Sequence, residues 1–199
     1  DERTKRQSHA CALNWAVSDV AGERYIHEAL LDRASPQIMR SVLEEDTRRG
    51  LGIKDKLLRK AIEDVLDRNH MPLPDRMFKK GAVLADTGLN LNFEGATAVK
   101  DDNGRYHLNA QSLDTKTGMQ LTFTPRKAAC RYGKAGVVEG HGGDDMFYYF
   151  VPRNSVSGTL TLDGRTFSVS GNGWYDHEFG GKPHFVRKRE QEDADAAAA

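Results

Sequence analysis

V-S-G-T-L-T-L-D-G-R-T-F-S-V-S-G-N-G-W-Y-D-H-E-F-G, residues 156–180, sets two β-prone runs on either side of a Leu-Asp-Gly turn. Thr, Val, Leu and Phe suit a pleated, half-buried surface, and an Asp-Gly pair between two such runs signals a hairpin. The second run ends in Trp174, Tyr175, Asp176, His177 and Glu178, neighbours that all carry hydrogen-bonding or titratable groups. Side chains alternate across a strand, so Trp174, Asp176 and Glu178 share one face, and Tyr175, His177 and Phe179 the other. Asp176 and His177 therefore reach one cavity only if the strand is distorted, which Gly171 and Gly173 make cheap. A strand buried on both sides accounts for the same pattern.

The same alternation runs back to Phe78. R-Y-H-L-N-A-Q-S-L, M-Q-L-T-F-T-P and M-F-Y-Y-F-V-P are the clearest further strands, and D-T-G (86–88), D-D-N-G (101–104) and D-T-K-T-G (114–118) are the turns between strands. Short strands at near-regular spacing predict an antiparallel barrel or sandwich. Tyr132 to Asp145, rich in glycine, reads as a long mobile loop. At the other end, His9 to Val20 and Gly22 to Leu31 read as a hairpin turning near Asp19 to Gly22, with Cys11, Leu13, Trp15 and Val17 on one face.

Between these β regions the period changes. Ser35 and Pro36 form a helix start, with Ser35 at the N-cap, and Gly50 and Gly52 a stop. Leu57, Leu58, Ala61, Ile62, Val65 and Leu66 trace the stripe of a second helix, which Met71 to Pro74 cannot continue. The expected organisation is one β domain formed by residues 1–34 and 75–185, a two-helix insertion over 35–74, and a charged, alanine-ended, disordered or appended tail over 186–199.

Lys plus Arg and Asp plus Glu both number 29 in the 199 residues, so the formal charge is zero. A general nucleic-acid or membrane-surface binder needs a basic excess, and the expected partners exclude nucleic acid. No apolar run approaches the roughly 20 residues of a transmembrane span. The composition reads as soluble, with the cytoplasm preferred, although Cys11 and Cys130, taken as two buried thiols, leave the redox compartment open. Asp1 in place of Met leaves room for residues upstream.

Asp176 is the first candidate for chemistry. A carboxyl beside Trp174 in an apolar pocket is pushed up by desolvation and can hold a proton near neutral pH. His177 would serve as partner base or orienting group, and Tyr175 as hydrogen-bond donor. A buried polar network that closes a barrel is the competing structural reading. Trp15, Tyr148, Tyr149 and His27 are candidates for lining a binding site, and His107 is a weaker one. No histidine pair has i, i+4 spacing and no Cys-x-x-Cys is present, so neither metal nor cofactor is expected. No G-x-S-x-G signature of a serine nucleophile is present.

Phe147 to Gly180, with its Y-Y, P-R, S-G-T-L-T-L-D-G and W-x-D-H-E-F-G elements in order, resembles the lipocalin-like family of AttH-type proteins and carotenoid 1,2-hydratases. Kievitone hydratase and the lipocalin-like Diels–Alderases are more distant members. L-N-W-A-V-S-D-V-A-G-E-R-Y-I-H and L-T-F-T-P-R-K fit the same pattern. The resemblance implies a lipocalin-like antiparallel β-barrel, the first of two, with the Asp-His pair near its end. The family's E-W-W-Y-type strand is missing and only about twenty residues follow the motif, so a companion segment or second barrel is expected to complete the site. The two-helix insertion departs from the simpler members. For function, the resemblance implies hydratase or dehydratase chemistry on a C=C bond of a hydrophobic isoprenoid or polyketide, with Asp176, His177 and Tyr175 catalytic and Trp174 offering a π face. A pericyclase and a non-catalytic carrier of a lipophile are the alternatives.

Overall fold

The computed structural model describes residues 11–48, 56–68, 74–80, 82–112, 114–133, 135–139 and 145–180. The expected helix stop at Gly50 and Gly52 and the tail lie outside them. The elements are β1 (Ala12–Asp19), β2 (Arg24–Asp32), α1 (Ser35–Arg48), α2 (Lys56–Asp67), β3 (Arg76–Phe78), β4 (Val83–Leu84), β5 (Asn90–Phe93) and β6 (Ala96–Lys100). They continue as β7 (Tyr106–Ser112), β8 (Thr117–Pro125), β9 (Cys130–Arg131), β10 (Val137–Val138), β11 (Met146–Leu162) and β12 (Arg165–Gly180). The chain is mainly β. One sheet has the order β1-β2-β3; the other runs β10-β11-β8-β7-β6-β5-β4, with β9 and β12 also pairing with β11. Two compact units result, Asp1–Ala98 with Ala110–Leu113, and Val99–Asn109 with Asp114–Ala199.

In the first unit, β1 and β2 pair antiparallel around the Val20–Glu23 turn, with Trp15 facing Glu28. Burial alternates along β1 and falls deepest at Trp15, as the sequence spacing requires. Leu30, Phe78 and Phe93 are fully buried, and the Phe78 and Phe93 rings lie 3.9 Å apart. Burying such side chains stabilises by about 1.5–3 kcal/mol each.

One pairing departs from the antiparallel expectation. β2 and β3 run parallel, Leu30 beside Arg76 and Asp32 beside Phe78. Parallel neighbours need a crossover of a dozen or more residues, and α1 with α2 supplies it. The helix start also differs in its cap. Asp32 Oδ1, rather than the Ser35 hydroxyl, accepts from the Ala34 and Ser35 amides at 2.8 and 2.9 Å, while Ser35 Oγ turns to Cys11 O. Burial by itself would raise Asp32. Its hydrogen bonds from the Cys11 amide, the Ser35 side chain and the Ala34 and Ser35 amides outweigh that and hold it below the ordinary 3.8. In α2, Ile62, Val65 and Leu66 are half-buried but Leu57 is 81% exposed, so the apolar stripe is shorter than its spacing suggests. Both thiols are free; Cys11 is half-buried and Cys130 exposed, against the expected burial of both.

The second unit is built on the β11–β12 hairpin. Its turn residues Asp163 and Gly164 have φ of 50° and 80°, so the Asp-Gly pair forms the left-handed two-residue turn whose twist matches the strands. Sequence reading divides 146–162 into two strands, whereas β11 is continuous. At Pro152 and Arg153 the register slips: Val151 faces Tyr175, then Asn154 faces Gly173. Three steps on β11 oppose two on β12, which is a β-bulge. Proline has no amide to give a ladder and is tolerated at such a place. Asn154, fully buried, donates Nδ2 to Val151 O and Gly173 O, tying the bulge across both strands. Beyond the bulge β11 exchanges neighbours, from β9 and β10 to β8. β10 also lies inside the stretch expected to be loop throughout, pairing Val137 with Phe147.

Candidate functional site

The ladder fixes what each face of the hairpin carries. Phe150 faces Asp176 and Tyr148 faces Glu178; Tyr149 faces His177 and Val151 faces Tyr175. Cross-strand neighbours share a face, so two constellations form, one on each side of the sheet.

On one side, Asp176 Oδ1 accepts from Trp174 Nε1 at 2.7 Å and from Tyr148 Oη at 2.8 Å. Trp174 stacks on Phe150 with centroids 5.0 Å apart, Phe150 lies 5.8 Å from Tyr148, and Tyr148 lies 5.4 Å from Tyr132. Four rings thus form a row beside one carboxylate. Asp176 is exposed, and Trp174 and Tyr132 are 52% and 55% exposed. The apolar pocket expected around the carboxyl is therefore not made by the described residues; the ring row borders it on one side and leaves it open on the other. The Asp176 carboxylate, with burial and Glu178 behind it, holds the Tyr148 phenol above its ordinary 10, so Tyr148 stays a donor at neutral pH.

The other side is half-buried at Tyr149, Tyr175 and His177, and exposed at Phe147 and Phe179. His177 Nδ1 lies 3.2 Å from Tyr149 Oη and 3.3 Å from Tyr175 Oη, so one ring nitrogen serves two phenols. Tyr175 stacks on Tyr106 of β7 at 4.6 Å, and the Lys100 ammonium sits 5.3 Å over the Tyr106 ring. Burial first, then the Tyr149 hydroxyl, push the Tyr175 phenol far above its ordinary range, so it cannot act as a base near neutral pH. Asp176 and His177 thus stand on opposite sides, as regular alternation requires, and the bulge does not bring them together.

Trp15 and His27 belong to the first unit and to opposite faces of its hairpin. Trp15 is buried and donates Nε1 to Glu28 Oε2 at 2.9 Å, with Arg76 Nε 3.5 Å from Glu28 Oε1. His27 is exposed and stacks on Tyr25. His107 is occupied: Nε2 lies 3.0 Å from Asp101 and Nδ1 3.1 Å from Thr122 Oγ1. The imidazole, then the Arg105 amide, hold the Asp101 carboxyl far below its usual range. Sequence reasoning missed Tyr106 and Asn154. Tyr106 stands beside His107 in the R-Y-H-L strand, and only its partner across the sheet distinguishes it from a core tyrosine. Among the described residues, no three His, Cys, Asp or Glu side chains are arranged to hold a metal ion, and no helix is long and apolar enough to cross a membrane.

A crystal structure of an AttH protein from Nitrosomonas europaea is similar to this chain, with a TM-score of 0.57 and 16% identity over 87% of this chain. At that identity the likeness is one of fold, and it supports a lipocalin-like architecture for the antiparallel sheet. The alignment covers 41% of the other protein, so this chain spans about two-fifths of that relative's length. No curated protein matches the chain. A profile of the AttH-like family matches residues 6–191, nearly the whole of the sequence. The chain belongs to the AttH-like family.

Proposed function

We propose that the Trp174–Asp176 face acts on a C=C bond of a hydrophobic isoprenoid or polyketide by acid–base chemistry of the hydratase or dehydratase type. The observation that carries this reading is the double hydrogen bond holding Asp176 beside a row of four aromatic rings. Protonating an alkene makes a carbocation, which needs a positioned acid, π faces and controlled water. Asp176 in its acid form gives its proton to one alkene carbon. The neighbouring carbon becomes cationic against the Trp174 and Tyr148 rings, a water oxygen adds there, and the proton of that oxygen returns to the carboxylate. Dehydration is the same path reversed. Tyr148 and Trp174 fix the carboxylate, while His177, Tyr175 and Tyr149 brace the strand from its other side. Exposure of Trp174 and Tyr132 supports a companion segment or second barrel closing over this face and excluding water from it.

The test is turnover of a panel of isoprenoid and polyketide alkenes and alcohols in oxygen-18 water, read by mass spectrometry. Asp176→Asn should cut heavy-oxygen incorporation by about 10²–10⁴-fold and leave ligand binding and melting temperature in place. Unchanged incorporation in the variant would remove Asp176 from the chemistry. Wild-type protein that binds lipophiles tightly and turns over none would favour the second reading, a carrier, which the open and solvent-facing position of Asp176 also fits.

A further inference from the structure

The bulge has an effect on the charge of the Trp174–Asp176 face. Asn154 faces Gly173, on the same side as Tyr175 and His177. Its neighbours Arg153 and Ser155 therefore turn to the Trp174 side, and Pro152 with Arg153 stands opposite Trp174 itself. Arg126 joins them: its Nε donates to Ser155 Oγ at 2.9 Å and its backbone amide to Arg153 O at 2.8 Å. Both arginines are exposed.

Six other described arginines find carboxylates. Arg24 pairs with Asp19, Arg40 with Glu44, Arg48 with Glu45, Arg59 with Glu63, Arg76 with Glu28 and Arg105 with Asp101. No described carboxylate pairs with Arg126 or Arg153. The carboxylates of this face, Asp176 and Glu178, lie further along β12, at steps of roughly 7 Å for every two residues. One direction along the sheet thus reads Arg153 opposite Trp174, then Phe150 with Asp176, then Tyr148 with Glu178.

We propose that the ligand of this face is an amphiphile with a terminal carboxylate, held by Arg126 and Arg153, its apolar unsaturated body lying along the ring row toward Asp176. This rests on the reading of that face as a site for a hydrophobic molecule and adds the anionic end. Guanidinium groups present a planar fork that matches a carboxylate. An anionic membrane surface is the weaker match, because electrostatic attachment uses clusters of four to eight cations and the argument here rests on two among the described residues.

Fluorescence titration with cis-parinaric acid, a conjugated polyene carboxylate, and with its neutral methyl ester tests the proposal on the full chain. The acid should bind about 5- to 30-fold more tightly than the ester, the range for one or two kcal/mol. In the Arg126→Gln, Arg153→Gln double variant the acid should fall to the affinity of the ester, with the ester unchanged. Arg126→Lys, Arg153→Lys keeps the charge without the fork and should retain part of the preference, which guards against misfolding as the cause of loss. Equal affinity of acid and ester for the wild type, or a preference that survives the Gln pair, overturns the proposal and leaves the hydrophobic site standing. Binding of neither probe defeats the hydrophobic-site reading itself. Attachment to phosphatidylglycerol vesicles without any preference for the free acid assigns the arginines to a lipid surface and also overturns it.

Discussion

Gly173 lies against the Phe123 ring of β8, and replacing it with alanine measures how tightly that face is packed. A Cβ there would stand 2.4 Å from Phe123 Cε1, 2.7 Å from Phe123 Cδ1 and 2.8 Å from Val156 Cγ2. Carbon atoms prefer about 3.5–4.0 Å, so the Phe123 ring has to retreat by roughly 1 Å in a region that also holds the fully buried Asn154. Overpacking of this kind costs about 1–3 kcal/mol. In a chain of this size each kcal/mol lowers the melting temperature by about 2–4 °C, so Gly173→Ala should melt about 2–12 °C below the wild type. Gly171→Ala is the control: it stands two residues away on the same strand face with nothing within 4 Å, and its effect should stay within about 0.5 kcal/mol. Shrinking the ring should relieve the clash. Gly173→Ala combined with Phe123→Leu should cost less than the sum of the two single changes, by about 1 kcal/mol. Thermal and urea denaturation of the four variants decide the matter. If Gly173→Ala matches Gly171→Ala, or if the double variant is simply additive, Phe123 does not press on Gly173 and the packing argument fails.

Two further predictions concern buried acids of the first unit. Trp15→Phe removes the donor that satisfies Glu28 Oε2 in a place where both residues are buried; it should cost about 1.5–3 kcal/mol, read from urea unfolding, and a loss below about 0.5 kcal/mol would mean that the pair is replaceable by water. Asp32 is held below its ordinary 3.8, so its contribution is complete above that value and disappears as pH falls through the lower folded value. Asp32→Asn should lose about 0.5–2 kcal/mol at neutral pH, as caps do, and its stability should fall less steeply than the wild type's between pH 4 and pH 2; parallel curves would exclude Asp32 as a source of the acid sensitivity.

Much of this arrangement is legible from the period of two. The division of Trp174, Asp176 and Glu178 from Tyr175, His177 and Phe179 follows from sequence alone and stands in the structure, as does the turn at Asp163–Gly164; the first turn, expected near Asp19 to Gly22, spans Val20–Glu23. Local signals carry these features, because each depends on residues a few positions apart. What stayed hidden depends on distant residues. The Trp15–Glu28 bond needs the β1–β2 register, and the parallel β2–β3 pairing needs knowledge of where the two helices return the chain. Ser35 followed by Pro36 looks like a cap, but the competing acceptor Asp32 is charged, already oriented by the Cys11 amide at 2.6 Å, and prevails. The bulge is the instructive case. Pro152 inside a β-prone run reads as a strand break, and only the buried carboxamide of Asn154 shows how the strand continues through it. Since the bulge turns Arg153 and Ser155 to the Trp174 side, the cationic end of the candidate site was hidden along with it.

The placement of Asp176 and His177 on opposite sides of one strand changes how their sequence adjacency should be understood. Two catalytic groups in the same cavity would occur at i and i+2 along a regular strand, and here the i, i+2 relation joins Trp174 to Asp176 and Tyr175 to His177. Each pair makes its own hydrogen bond, and each is extended by a tyrosine from β11, Tyr148 on one side and Tyr149 on the other. The motif therefore encodes two aromatic–polar clusters rather than one acid–base dyad. The half-buried cluster, with Tyr106 and Tyr149 packed about Tyr175, is suited to holding the strand flat and straight beyond the bulge. The open cluster leaves its carboxylate oxygens toward solvent, where a substrate could approach. Rigidity on one side is what allows precise placement on the other: a carboxylate fixed by two donors on a strand braced from behind loses little further freedom when a ligand arrives. On the proposed reading of the open face, a change confined to the other side, such as Tyr149→Phe, should lower turnover of the alkene panel while lipophile affinity stays the same; equal turnover would remove that side from the positioning of Asp176.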